Sequence, residues 1–191
     1  MINVLVNGLP STVVVGGVPV DINTDFRHCL QVSLLVDDPV VGQEAKVKGL
    51  LYHLYGFLPD EHVEEYLTEA RSFLRLDVLD TTITKRPRKG TLRTFDWDID
   101  QRRLVADFWR EHRIDLTDPD TELHWWRFLA LFEGLSYESS TMRAIGIRSV
   151  EIPKGASEAE RRRLRAQKKE YELPARTKEE IEARERAIWG D

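Results

Sequence analysis

Residues 124–135 constrain the fold more than any other stretch of this sequence. They include two of the five tryptophans and two of the seven phenylalanines, and only four of these positions are not apolar. An α-helix that is apolar nearly all round is normally buried, with other helices packed about it. The segment therefore predicts the central helix of a helical core.

The aromatic side chains of this segment allow two interpretations. Core packing is the usual fate of such residues. The alternative is that part of the aromatic surface binds a partner, and the candidate contacts are then Trp125, Trp126, Arg127 and Phe128. The sequence leaves open whether the two tryptophans face the core, the solvent or both.

Residues 1–22 are predicted to form β structure. β-branched runs flank Gly16 and Gly17, and a Gly-Gly pair between such runs indicates a two-residue hairpin turn. Pro19 cannot donate a ladder hydrogen bond, so we expect it at an edge or a non-bonded position. Weak alternation over residues 2–6 predicts a further strand.

Apolar residues at helical spacing predict a series of amphipathic helices after the hairpin. The first four are expected at about 25–36, 40–55, 60–75 and 99–112. Asn23 or Thr24 is expected to cap the N-terminus of the first helix, and Asp98 that of the fourth. Gly56 is expected to end the second.

Two more helices are expected around the aromatic segment. Asp118 followed by Pro119 is a strong start signal and predicts the beginning of the central helix, which Gly134 then ends. Ser139 or Ser140 is expected to cap the next helix. The whole pattern predicts a mainly α fold, a multi-helix bundle with a small N-terminal β-hairpin and a charged helical C-terminal tail.

Two charged segments stand apart from the amphipathic helices. A predicted loop at about 80–95 holds five basic residues and no acidic one between positions 81 and 93. The tail carries a basic block at 161–169 that includes the candidate contacts Arg162 and Lys168. A solvated helix face with i,i+4 ion pairs is the ordinary interpretation of that block, and contact with nucleic acid is the alternative.

These segments suggest the domain organisation. We expect a globular helical domain over residues 1–152 and a charged tail over 153–191. The tail helices have few apolar residues to bury, so we expect the tail to project or to be only partly ordered. A second capping box at 177–180 predicts a short helix that ends at residue 188.

Composition and motifs argue against several functional classes. The net charge of −5 disfavours nucleic acid as the main partner. The single cysteine allows no internal disulfide, and we find no signal-peptide pattern and no transmembrane-length apolar run. The five histidines have no metal-ligand spacing, and no phosphate-binding loop or nucleophile motif occurs. We therefore expect no enzymatic activity, cofactor or metal.

Several motifs, in order and over nearly the whole chain, resemble those of a bacteriophage tail-module family, the "gene product fifteen" family. The matching segments are Leu9-Pro10 with the hairpin, residues 22–27, 95–96 and 113–116, the aromatic run 124–128, Arg148, and residues 169–173. The sequence departs from the family pattern at Arg113, where the family usually has glycine, and in the basic loop.

The resemblance implies a tail assembly chaperone without catalytic activity, acting in the host cytoplasm. Its expected partner is the phage tape measure protein, which it would keep soluble during tail morphogenesis, with a second tail assembly chaperone or a tail tube protein as further possible partners. A structural component of the virion and a nucleic-acid-binding regulator are the alternatives. The sequence does not determine the oligomeric state.

Overall fold

The structure, a computed structural model, describes residues 4–74 and 93–175. The predicted mainly α fold with an N-terminal β-hairpin is confirmed. The elements in chain order are α1 Val4–Asn7, β1 Thr12–Val15, β2 Val18–Asp21, α2 Phe26–Asp37, α3 Gln43–Tyr55, α4 Val63–Leu74, α5 Trp97–His112, α6 Trp125–Glu133, α7 Ser140–Ser149 and α8 Glu158–Glu170. None of these described helices has the length and apolar character needed to cross a membrane.

The chain divides into two compact units. The first unit comprises Met1–Asp80 and Asp120–Glu133, and the second comprises Thr81–Pro119 and Gly134–Asp191. The predicted boundary after residue 152 stays a prediction. Most of the basic loop expected at 80–95 and the helix expected at 177–188 lie outside the described residues.

The hairpin forms around its glycine turn as predicted. Gly16 and Gly17 have φ of 58° and 78°, the left-handed values that a two-residue turn of this kind requires. Val15 and Val18 form the pair that closes the turn, and Pro19 lies opposite Val14 in the next pair. Hydrogen-bonded and non-bonded pairs alternate along an antiparallel ladder, so Pro19 is at a non-bonded position, where no N–H is needed. The strand expected at residues 2–6 is wrong, because α1 forms a single helical turn there.

A short backbone pairing joins two distant segments of the first unit. The Phe26 N–H donates to the Leu123 carbonyl at 3.0 Å, and the Trp125 N–H donates to the Thr24 carbonyl at 2.7 Å. Asp25, rather than Asn23 or Thr24, caps α2 by accepting the Arg27 N–H at 2.8 Å. The two motifs that carry most of the family resemblance therefore lie side by side.

The central helix α6 is shorter and less buried than predicted. It begins at Trp125 rather than at Pro119, because the residues before it pair with the start of α2. Burial is confined to one face, formed by Trp125, Phe128, Leu129 and Phe132. The expectation of a helix buried nearly all round is therefore wrong, since Ala130 on the other face is exposed.

The second unit is organised by α5 and α7. Asp96 caps α5 by accepting the N–H groups of Asp98 and Ile99, so the predicted cap at Asp98 is two residues too late. Ser139 caps α7 as predicted, with its hydroxyl accepting the Met142 N–H at 3.1 Å. Both caps satisfy amides that have no partner inside the helix.

The tail packs against the second unit rather than projecting. The Arg148 Nε donates to the Tyr171 carbonyl at 2.6 Å, and the Arg93 Nη2 donates to the Pro174 carbonyl at 2.7 Å. Leu173 is only 6% exposed. The expectation of a projecting or partly ordered tail is therefore wrong for residues 158–175.

Arg113 ends α5 in a conformation that favours glycine. Its φ is 58°, its N–H donates to the Trp109 carbonyl at 3.2 Å, and the Ile114 N–H donates to the Phe108 carbonyl at 3.4 Å. The first of these bonds is that of the αL C-cap motif, whose left-handed position is usually glycine. The departure from the resembled family thus falls where an L side chain is strained.

We expect Arg113→Gly to raise the free energy of unfolding by about 1 kcal/mol, because it relieves the left-handed strain of a Cβ-bearing residue. Chemical denaturation of the purified chain measures this change. Gly56, which ends α3 with φ of 78°, is the matched control. Gly56→Ala should lower stability by a similar amount, and a loss of stability on Arg113→Gly would contradict the strain argument.

Candidate partner-binding surface

The six predicted contact residues differ widely in exposure. Trp125 and Phe128 are 1% and 0% exposed and belong to the core of the first unit. On the same helix, Trp126 is half-buried and Arg127 is exposed. On α8, Arg162 is exposed and Lys168 is half-buried. A partner can reach Trp125 or Phe128 only if the unit opens, and a partner-binding role for any of the six stays a prediction.

The two tryptophans complete the C-terminal end of α4. The Trp126 indole N–H donates to the Phe73 carbonyl at 2.6 Å, and the Trp125 indole N–H approaches the Leu74 carbonyl at 3.4 Å. The last carbonyls of a helix have no partner within it, so these indoles satisfy groups that would otherwise need water. The His-Trp-Trp motif thus has a structural role.

His124 has a structural role as well. Its Nδ1 accepts the Trp126 N–H at 3.0 Å, which caps the first turn of α6. Its Nε2 lies 2.9 Å from the Pro10 carbonyl, so that nitrogen carries the proton and donates it. Both ring nitrogens are therefore engaged in holding α6 and the segment before β1.

Two buried carboxylates of α5 hold the two ends of α7. Asp100 and Asp107 are both 0% exposed and stand two helical turns apart. The Arg148 guanidinium, at the end of α7, donates to Asp100 at 2.6 and 3.0 Å. Asp107 accepts the Thr141 N–H at 2.7 Å and the Ser140 N–H at 3.1 Å. The acids thus fix the register between the helices.

The hydrogen bonds to Asp107 decide its protonation state. Burial by itself raises the pKa of this carboxyl, but the bonds from Thr141 and Ser140 outweigh burial and bring the pKa below its ordinary value. Asp107 is therefore an anion bound to backbone and hydroxyl donors. These bonds give the cluster a role in the fold of the second unit, where they join α5 to α7.

An apolar groove of about 500 Å³ lies on the first unit. Val47 and Leu51, one turn apart on α3, line it together with Leu58 and Pro59 of the following loop and Val63 at the start of α4. Leu58 is 48% exposed, whereas Leu51 is 3% exposed. The groove therefore offers an apolar floor with part of its surface still in contact with water.

The rim of the groove is polar. Lys48 Nζ donates to Glu44 Oε1 at 2.6 Å, an i,i+4 ion pair along the edge of α3. The hydrogen bond from Lys48 is the main cause of a lowered pKa at Glu44. An apolar floor beside a charged rim is the usual composition of a surface that receives an amphipathic helix.

The groove was not predicted from the sequence, in which Phe57 and Leu58 received no role. A signal was present, because two large apolar residues directly follow the helix-ending Gly56, in a loop that connects two helices. Such residues in a short loop are often left partly exposed.

A second hollow, of about 460 Å³, lies in the same unit. Its lining includes His28 and His53, whose ring centres are 5.9 Å apart. Within residues 4–74 and 93–175, no group of three or more His, Cys, Asp or Glu side chains is placed to hold a metal ion. Cys29 is buried nearby in sequence, and that burial raises the pKa of its thiol.

Comparison with known proteins gives one match. A family model described as "Bacteriophage Gp15 protein" matches residues 5–173, which include both units and most of the tail. No curated protein and no solved structure matches the chain. The matched range contains every motif on which the family resemblance rests.

Proposed function

The chain belongs to the Bacteriophage Gp15 protein family, and from this premise we propose that it is a tail assembly chaperone that binds the phage tape measure protein. Family membership makes it a bacteriophage protein and favours a structural, virion-related role. The chaperone activity, its non-catalytic character and its place in the host cytoplasm are our proposal. The observation that carries it is the apolar groove between α3 and α4.

The groove has the chemistry that such a chaperone needs. A long amphipathic helix that waits to be enclosed exposes an apolar stripe, and exposed stripes aggregate. An apolar groove can cover that stripe by helix-in-groove packing, in which residues one turn apart on the ligand helix enter the groove. Val47, Leu58 and Val63 supply the partly exposed contact surface.

The size of this surface favours reversible binding. Burial of the remaining exposed part of each of these side chains contributes on the order of 1 kcal/mol. The loss of translational and rotational freedom on association opposes a gain of that size. A single groove therefore gives modest affinity, which suits a protein that tail tube subunits must displace.

Leu58→Glu should remove the binding. A carboxylate on the groove floor must be desolvated against an apolar stripe, so we expect affinity to fall by about tenfold or more. Co-purification of the chain with the tagged tape measure protein of the same phage measures the effect.

Val40→Glu is the matched control. Val40 belongs to the same unit, is 89% exposed and does not line the groove, so the same change of charge and size there should leave binding intact. Thermal unfolding of both variants verifies that they fold. Equal retention of the tape measure protein by the two variants would exclude the groove as the binding surface.

A further inference from the structure

Helix α8 rests on the second unit along one narrow stripe. Arg161, Leu164, Lys168 and Tyr171 are half-buried at spacings of three and four residues, and no residue of the helix is fully buried. Arg161 donates to the carbonyls of Ala156 and Lys154, and Lys168 donates to the Val150 carbonyl at 2.6 Å. The orientation of the helix is thereby fixed, and its opposite face is turned to solvent.

The solvent face of α8 is strongly basic. Arg162, Arg165 and Lys169 follow one another at i, i+3 and i+7, with Arg163 beside them, and all four are exposed. They span about 10 Å of helix at about 1.5 Å per residue. In the part of the chain that the structure describes, their side chains make no ion pair or hydrogen bond. The i,i+4 ion pairs predicted for this block are therefore wrong.

The two units carry opposite net charges. The first unit holds 15 Asp and Glu against 6 Lys and Arg, a net charge of −9. The second unit holds 18 Asp and Glu against 22 Lys and Arg, a net charge of +4. The excess of acidic residues in the chain, whose overall charge is −5, therefore lies in the first unit.

The acidic first unit has a matching exposed cluster. Asp60, Glu61 and Glu64 are exposed at the start of α4, and their carboxylates make no ion pair among the described residues. Within residues 4–74 and 93–175, three exposed carboxylates on the first unit and a row of exposed cations on the second have no ion-pair partner. Opposite charges on two exposed surfaces attract and orient protein partners.

We propose that the chain associates with copies of itself head to tail, with the basic face of α8 (Arg162, Arg165 and Lys169) in one copy lying on Asp60, Glu61 and Glu64 of the next copy. Each copy carries both surfaces, so the contact can be repeated in a closed pair, a ring or a longer chain. Association is a property of the purified chain and does not depend on the tape measure protein.

Nucleic acid is a poorer fit to the basic face. Proteins that bind single strands without sequence preference interleave cations with aromatic rings, and the solvent face of α8 presents no aromatic residue. The net charge of −5 also disfavours a polyanion as the partner. The acidic first unit attracts the basic face of a second copy, which is why we assign that occupant.

Sedimentation velocity of the purified chain tests the proposal at two salt concentrations. At about 0.01 M salt the Debye length is about 30 Å, so charges on two copies attract, whereas at about 1 M it is about 3 Å and the attraction is screened. We expect species larger than one chain at low salt and single chains at high salt. A basic-face triple variant, Arg162→Glu with Arg165→Glu and Lys169→Glu, should give single chains at both salt concentrations. An acidic-cluster triple variant, Asp60→Lys with Glu61→Lys and Glu64→Lys, should also give single chains at both.

A mixture of the two triple variants is the decisive sample, because each supplies the charge that the other has lost. We expect the mixture to recover association at low salt. Arg102→Glu with Arg143→Glu, at two exposed positions of the second unit outside α8, should associate as the wild type does. Single wild-type chains at low salt, a mixture that fails to associate, or binding of a short DNA duplex without self-association would each overturn the proposal.

Discussion

Trp125→Ala lowers the free energy of unfolding by about 3–5 kcal/mol, the usual loss when a fully buried tryptophan is truncated. Trp125 is 1% exposed, and its ring stacks on Phe128 at 5.5 Å, while Phe128 in turn stacks on Phe26 at 5.1 Å. Truncation therefore leaves a cavity between α6 and α2 and also removes an indole donor from the end of α4.

Denaturant unfolding of the variant measures this loss. Arg127→Ala is the matched control, because Arg127 is on the same helix and exposed, and we expect a change within about 0.5 kcal/mol. Unchanged unfolding of Trp125→Ala would mean that α6 is not the centre of the first unit's core. Trp125 would then again be a candidate contact for a partner.

Arg148→Met should destabilise the second unit by about 3 kcal/mol, because the buried Asp100 carboxylate loses its buried counter-charge and keeps only the partly exposed Arg103, at 2.7 Å. The side chains of Arg148 and Asp100 are 5% and 1% exposed. The guanidinium also donates to the carbonyls of Tyr171 and Thr94, at 2.6 and 3.0 Å, so two further acceptors lose their donor. The tail should detach before the rest of the unit unfolds.

Hydrogen exchange of residues 158–175 distinguishes this loss from a general weakening, and protection there should fall first. Arg143→Met, at an exposed position on the same helix, should leave exchange unchanged. The double variant Asp100→Asn with Arg148→Met should recover part of the loss, because the two residues stabilise the fold as a pair. Strictly additive losses would show that the ion pair contributes nothing of its own.

The sequence predicted the features of the fold that depend on neighbouring residues. The hairpin follows from Gly16 and Gly17, the end of α3 from Gly56, and the start of α7 from Ser139, because each signal acts within one turn. Asp118 and Pro119 are an equally strong local start signal, but the helix begins at Trp125 instead. The residues that follow them bond to the start of α2 instead, and such long-range pairing is not visible in a local pattern.

The buried acids and the groove depend on contacts between distant residues, which the sequence does not show. Asp100 and Asp107 lie on the buried face of α5 beside Leu104 and Phe108. A buried carboxylate is costly unless donors from other segments bind it. Those donors lie 33 to 48 positions further along the chain. The groove was missed for the same reason, because the packing of α4 decides which part of Leu58 and its neighbours stays uncovered.

The soluble fraction of a co-expressed tape measure protein tests the chaperone function most directly. We predict that more of the tape measure protein stays in the supernatant with the chain than without it, that Val40→Glu preserves the gain, and that Leu58→Glu abolishes it. A tape measure protein that sediments to the same extent with and without the chain would contradict the proposed function.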